Sequence, residues 1–168
     1  MTYRFDFSVL LPYWEIFLRG CVMTLILATV STVIGLLLGL LTVLAKRCRF
    51  LVLRKLATVY VEVIRNTPFL VQVLFIFFGL PELGISLSPQ TAAVLALSLN
   101  LGAFSAEIIR GGIDAIPRGQ AEAGAALGLS PLQTFGYVIL KPALRVIFPA
   151  LSGPVSYTHL TLPTTPYV

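Results

Sequence analysis

RGQAEAGAALGLSPLQTFGYVIL, residues 118–140, is the one long stretch that forms helix, is moderately polar and is too weakly hydrophobic to sit in lipid. Everything before it reads as membrane. Pro117 stops the preceding element, because its ring fixes φ and removes a donor. Gln120 to Leu127 is dominated by Ala, Glu, Gln and Leu, all good helix formers. Gly128 falls where helices commonly end in a left-handed residue. Ser130-Pro131 restarts a helix, with Ser as N-cap and Pro at the first helical position. The pattern predicts two short helices joined by a tight corner.

Composition sets the class. The chain has 168 residues, of which 57% are hydrophobic and 11% charged, with mean hydropathy +0.93. Soluble domains carry about 25% charged residues, so the chain is predicted to be an all-α membrane protein, a multi-span helical bundle. A net charge of +5 raises the question of nucleic acid. The basic residues instead cluster at the ends of apolar runs, as the positive-inside rule expects, and nucleic-acid binding is excluded. Cys21 and Cys48 would stand about 40 Å apart along one helix, far beyond the roughly 7 Å a disulfide allows.

Residues 1–19 mix Arg4, Asp6, Glu15 and Arg19 with aromatics, and Tyr13, Trp14 and Phe17 suit an interfacial belt. A cleaved signal peptide fits poorly, since the basic n-region is missing. Residues 20–45 carry no charge and form the first predicted span, about 39 Å of helix. Ser31, Gly35 and Gly39 recur on it every fourth residue, a stripe that suits close helix packing or reflects only how common Gly is in membrane helices. Lys46, Arg47, Arg49, Arg54 and Lys55 then form a basic loop without an acid. That loop is expected in the cytoplasm, with the N-terminus outside.

The second predicted span covers residues 59–80. Its charge-free part begins only at Asn66, so Glu62 and Arg65 are expected at the inner interface, where they can snorkel and where their i,i+3 spacing allows a pair. Thr67 precedes Pro68, which disfavours helix. A break there could line a path, with Asn66 and Thr67 as candidates, but a simple helix start at the interface is favoured. Gln72, one turn deeper, is the better candidate for the bundle interior. The third span covers residues 89–106, begun by Ser88-Pro89, and Asn100 near its middle needs a partner. Asn100 either bonds a neighbouring helix, the favoured reading, or lines the path. The cytoplasmic loop occupies residues 110–145.

No G-x-x-x-x-G-K-[ST] loop is present, no Cys/His cluster has metal-ligand spacing, and a single His argues against a triad. No catalytic residue, metal ligand or cofactor site is assigned, and the chain is not expected to be an enzyme. Residues 153–168, with Pro154, Pro163 and Pro166, make a spanning helix improbable and read as a foreign or disordered tail.

The spacing Glu122-Ala123-Gly124, three residues, Gly128, nine residues, Val138-Ile139-Leu140 resembles the EAA loop of permease subunits of bacterial ABC importers. AEIIRGGIDAIPRGQAEAGAALG (Ala106 to Gly128) and VEVIRNTPFLVQVLFIFFGLP (Val61 to Pro81) are similar to the polar amino acid uptake branch. The likeness covers about Trp14 to Ser152. Gly124 stands where that family more often has Ala, and the proline after Ile-Leu is displaced to Pro142. The resemblance implies a type I importer permease domain over residues 1–152, incomplete because the family adds about two more spans. It implies a multi-pass subunit of the bacterial inner membrane, translocating polar amino acids. Arg118, Gly119, Gln120, Glu122, Ala123, Gly124 and Gly128 would couple to a separate ATP-binding cassette ATPase. The further partners implied are a periplasmic or lipid-anchored substrate-binding protein and a second permease subunit, identical or not. The alternatives are a fragment of an ion-gradient-driven carrier, which should place ionisable residues inside the spans, or a structural membrane anchor.

Overall fold

Six helices follow from these patterns in the computed structural model, which describes residues 13–159 and their side chains as far as Pro154. The charge-free run becomes the middle of α1, Trp14–Arg47. Its Ser31, Gly35 and Gly39 are buried against α4, Pro89–Asp114. The stripe is a packing seam. A Cβ on Gly35 would stand 2.9 Å from that of Leu101, and one on Gly39 would collide with the Ser105 hydroxyl. Close approach brings backbone carbonyls within reach of hydroxyls: Ser98 Oγ donates to Ser31 O at 3.5 Å, and Ser105 Oγ, which donates to Leu101 O of its own helix at 2.7 Å, lies 3.4 Å from Gly35 O. Without a hydrophobic drive between helices in lipid, such packing and bonding hold the pair together.

The predicted second span divides in two. Helix α2 covers Leu51–Asn66 and helix α3 Phe69–Glu82, and the two meet at a 111° bend. Thr67 is extended (φ −105°, ψ 130°) because Pro68 excludes the helical region for it. The single span expected over residues 59–80 is thereby divided, and the break weighed against a simple helix start is present. A helix does start at Phe69, but the residues before it form a separate, crosswise element. Helix α3 lies along α4, with Ile76 packed among Ala92 and Ala96. Helix α4 starts at the predicted cap, where Ser88 Oγ accepts from Thr91 N. It then continues past residue 106 to Asp114, eight residues beyond the predicted end, and places Leu101, Ala103 and Ala106 at the buried centre.

Helix α5 is Arg118–Ala126. Helix α6 covers residues 131–159, made of Pro131–Gln133, a π-helical stretch Thr134–Ile139 and Leu140–His159. Two expectations fail here. The second helix of the corner is not short, because residues 131–154 are long and apolar enough to cross a membrane. Residues 153–159 are helical, with Pro149 and Pro154 inside the helix, which goes against the disordered alternative for them and leaves the foreign one untouched. Both errors come from treating residues 118–140 as one polar unit and proline as an absolute stop, whereas membrane helices tolerate proline. Both π-helical stretches, Phe75–Gly79 and Thr134–Ile139, sit just ahead of a proline, Pro81 and Pro142. There the widened turn relieves the ring's clash with the carbonyl four residues back. Among the described residues, α1, α4 and α6 are long and apolar enough to span, and the bent α2–α3 pair passes the same test together. The readings made on residues 1–12 and 160–168 lie outside the described residues.

Candidate functional site

The corner after α5 is built by backbone hydrogen bonds. Gly128 takes φ +78°, a value that L side chains adopt only with strain. Its N–H donates to Ala125 O at 2.9 Å and that of Leu129 to Gly124 O at 3.1 Å. These are the two bonds of a Schellman ending. Ser130 then accepts from Gln133 N at 3.4 Å while Gln133 Oε1 accepts from Ser130 N at 2.9 Å, a reciprocal box with Pro131 at the first helical position. The result is a fixed turn that returns the chain onto α6.

Helix α5 has two faces. Arg118, Gly119, Gln120, Glu122, Ala123, Ala125 and Ala126 are exposed. Gly124 is buried, and a Cβ there would stand 2.6 Å from the Thr134 methyl. This gives a physical reason for Gly rather than Ala at 124: the position belongs to the joint between α5 and α6. Among the residues named for coupling, Gly124 is therefore turned toward α6. Of the seven coupling residues predicted, Arg118, Gly119, Gln120, Glu122 and Ala123 face outward, Gly124 faces inward, and Gly128 shapes the turn.

The four candidate path residues separate into two pairs. Gln72 and Asn100 are buried and bonded to each other, Asn100 Nδ2 donating to Gln72 Oε1 at 3.3 Å. Gln72 Nε2 donates to Ile64 O and Thr67 O, both at 2.8 Å. Those two carbonyls lose their helical partners at the break, so the Gln72 amide caps the end of α2 from within α3. Carbonyls that lose their helical partners in a buried place need such a donor. Asn100 thus makes the interhelical bond favoured for it. Thr67 sits half-buried at the bend itself, bonding Val63 O through its hydroxyl at 2.7 Å.

Asn66 is exposed and lines an open cavity of about 430 Å³ together with Lys46, Glu62, Arg65, Phe104, Glu107 and Arg110. Charged groups converge here from three helices. Glu107 holds Lys46 at 2.6 Å and Arg110 at 2.8 Å, and Arg65 stands at 3.9 Å. Asp114 holds Arg47 and Arg110, each at 3.0 Å. Arg65 pairs with Glu107 rather than with Glu62, and its guanidinium lies 5.5 Å from the centroid of the Phe104 ring. The cluster closes the same end of α1, α2 and α4.

Residues 31–153 match the family of binding-protein-dependent transport system inner membrane components. The chain belongs to this family. Among its members, the L-cystine transport system permease protein of Bacillus subtilis is 42% identical over 141 residues, 84% of this chain and 60% of that protein. The glutamine transport system permease protein of Escherichia coli is 42% identical over 152 residues, 89% of this chain and 69% of that protein. A crystal structure of an amino acid ABC transporter with histidines superposes with a TM-score of 0.83 at 40% identity, covering 91% of this chain and 72% of that one. The chain thus spans about three fifths to two thirds of the length of these curated relatives.

For this inner-membrane component, the Glu107 cluster is what reading along the chain missed. Read along the chain, Glu107 and Arg110 only follow the apolar run that ends at residue 106. The available signal was the lone pair of acids, Glu107 and Asp114, falling at the same end of the bundle as a basic loop that has no acid of its own.

Proposed function

We propose that this family member is the membrane-spanning subunit of an ATP-driven importer for polar amino acids, coupled through α5 to a separate ATP-binding cassette ATPase. The observation that carries the reading is the outward face of α5, with Glu122 beside Ala123 and Ala126, held between Pro117 and the Gly128 turn. Small exposed side chains let a helix sit deep in a partner's groove, and Glu122 offers an ionic contact. The names of the relatives, which carry cystine and glutamine, favour amino acids as cargo. A substrate-binding protein and a second permease subunit complete the proposed assembly. The basic loop from Lys46 to Lys55 supports a cytoplasmic position for that end, and for α5 with it, and an outside N-terminus. Asn66 and Thr67, at the bend and the open cavity, are the proposed path residues; Gln72 and Asn100 hold the bend that shapes the path.

The test is co-purification in detergent with the ATPase encoded beside the gene, comparing wild type with the Glu122→Arg, Gly128→Val double variant. Retention by wild type and loss in the double variant is expected. Equal retention of both moves the contact away from α5.

A further inference from the structure

Helix α2 carries three arcs rather than two. Ala57, Tyr60, Val61 and Ile64 turn toward the bundle, where Tyr60 Oη donates to Leu99 O at 2.7 Å and Val61 packs with Val43, Ala103 and Ala106. Val52, Leu56, Val59 and Val63, spaced i, i+4, i+7 and i+11, form a second apolar stripe beside the first. It is exposed at 71%, 62%, 54% and 56%. The remaining arc is polar, with Arg54, Lys55, Thr58 and Glu62. The two apolar arcs together lie opposite the polar one. The 111° bend turns α2 close to perpendicular to α3, which itself follows α4. Helix α2 therefore runs crosswise to α4, packed on Leu99, Ala103 and Ala106, and its Val52–Val63 stripe is left uncovered by the described chain.

The charges say what covers it. Of the five bases from Lys46 to Lys55, Lys46 and Arg47 are held by Glu107 and Asp114. Arg49, Arg54 and Lys55 are exposed and have no carboxylate partner among the described residues. Three unpaired cations beside an apolar stripe on a helix lying crosswise are the pattern of an interfacial helix on an anionic surface. We infer that α2 is a lipid-reading element: its Val52–Leu56–Val59–Val63 stripe enters the acyl boundary while Arg49, Arg54 and Lys55 bind anionic phospholipid headgroups. Orienting the loop inside requires positive charge alone. It requires neither the stripe nor the crosswise placement.

The inference rests on the membrane reading but not on ATPase coupling, and its test leaves α5 untouched. The 168-residue chain is placed in nanodiscs of phosphatidylcholine alone or with phosphatidylglycerol, and amide exchange is followed. Phosphatidylglycerol is expected to slow exchange over residues 51–63 on the order of a hundredfold, by adding an attraction of about fivefold for each of the three basic residues. That slowing should vanish at high salt, which needs no variant, and in the Arg49→Gln, Arg54→Gln, Lys55→Gln variant. Exchange over residues 101–106 of α4 should stay constant throughout, showing an intact bundle. Equal exchange in the two lipids, or slowing that survives salt, overturns the inference. So does slowing that appears only in discs holding two copies, since the stripe would then belong to a second chain.

Discussion

The seam between α1 and α4 and the corner after α5 are both made from small residues, and they use them in opposite ways. In the seam, Gly35 and Gly39 are small because another helix occupies the space. At the corner, Ala123, Ala125 and Ala126 are small and face outward, with no part of the described chain over them. The seam is a finished interface and the corner an unfinished one. Stability should therefore be concentrated in the first and binding in the second.

The sharpest way to break that contrast is Gly39→Leu, which forces a branched side chain into Ser105. Overpacking of this kind costs about 3 kcal/mol. A large drop in the thermal midpoint in detergent is expected, and a midpoint like wild type would mean the seam is loose. Next is Gln72→Leu, which strips the Ile64 and Thr67 carbonyls and the Asn100 amide of their partner, at about 2 kcal/mol. Adding Asn100→Leu should cost less than the sum of the two single changes, because the residues share one bond. Strict additivity measured in that cycle would separate them. Gly128→Ala should cost about 1 kcal/mol through left-handed strain, and weaken ATPase retention in proportion. The smallest effect on stability belongs to Glu122→Arg, within about 0.5 kcal/mol as for other surface changes. It should nevertheless abolish retention of the ATPase. A stability loss there as large as that at Gly39 would erase the contrast altogether.

Much of this was legible in the residues, and the failures share a cause. The caps at Ser88 and Ser130 and the left-handed Gly128 are local signals, each fixed by chemistry within one turn of chain, and the structure has them all. The bend at Thr67–Pro68 is visible in the residues only as an option beside a simple helix start. What rescues the bend is the Gln72 amide, five and eight residues from the carbonyls it serves, and spacing along the chain does not announce that. The Glu107 cluster was invisible for a related reason: Lys46 and Glu107 lie 61 residues apart. At the corner, the outward residues of α5 are among those that the resemblance alone singles out. The inward turn of Gly124 needed the position of Thr134, and with it the length of α6.

The Gly124–Thr134 contact has a mechanical consequence. Thr134 lies near one end of a helix that runs for 24 residues to Pro154, about 36 Å. Gly124 leaves no side chain to act as a cushion between the two helices. A sideways push on α5 is therefore delivered as torque at the short end of a long lever, and a small swing at the hinge becomes a larger sweep at the far tip.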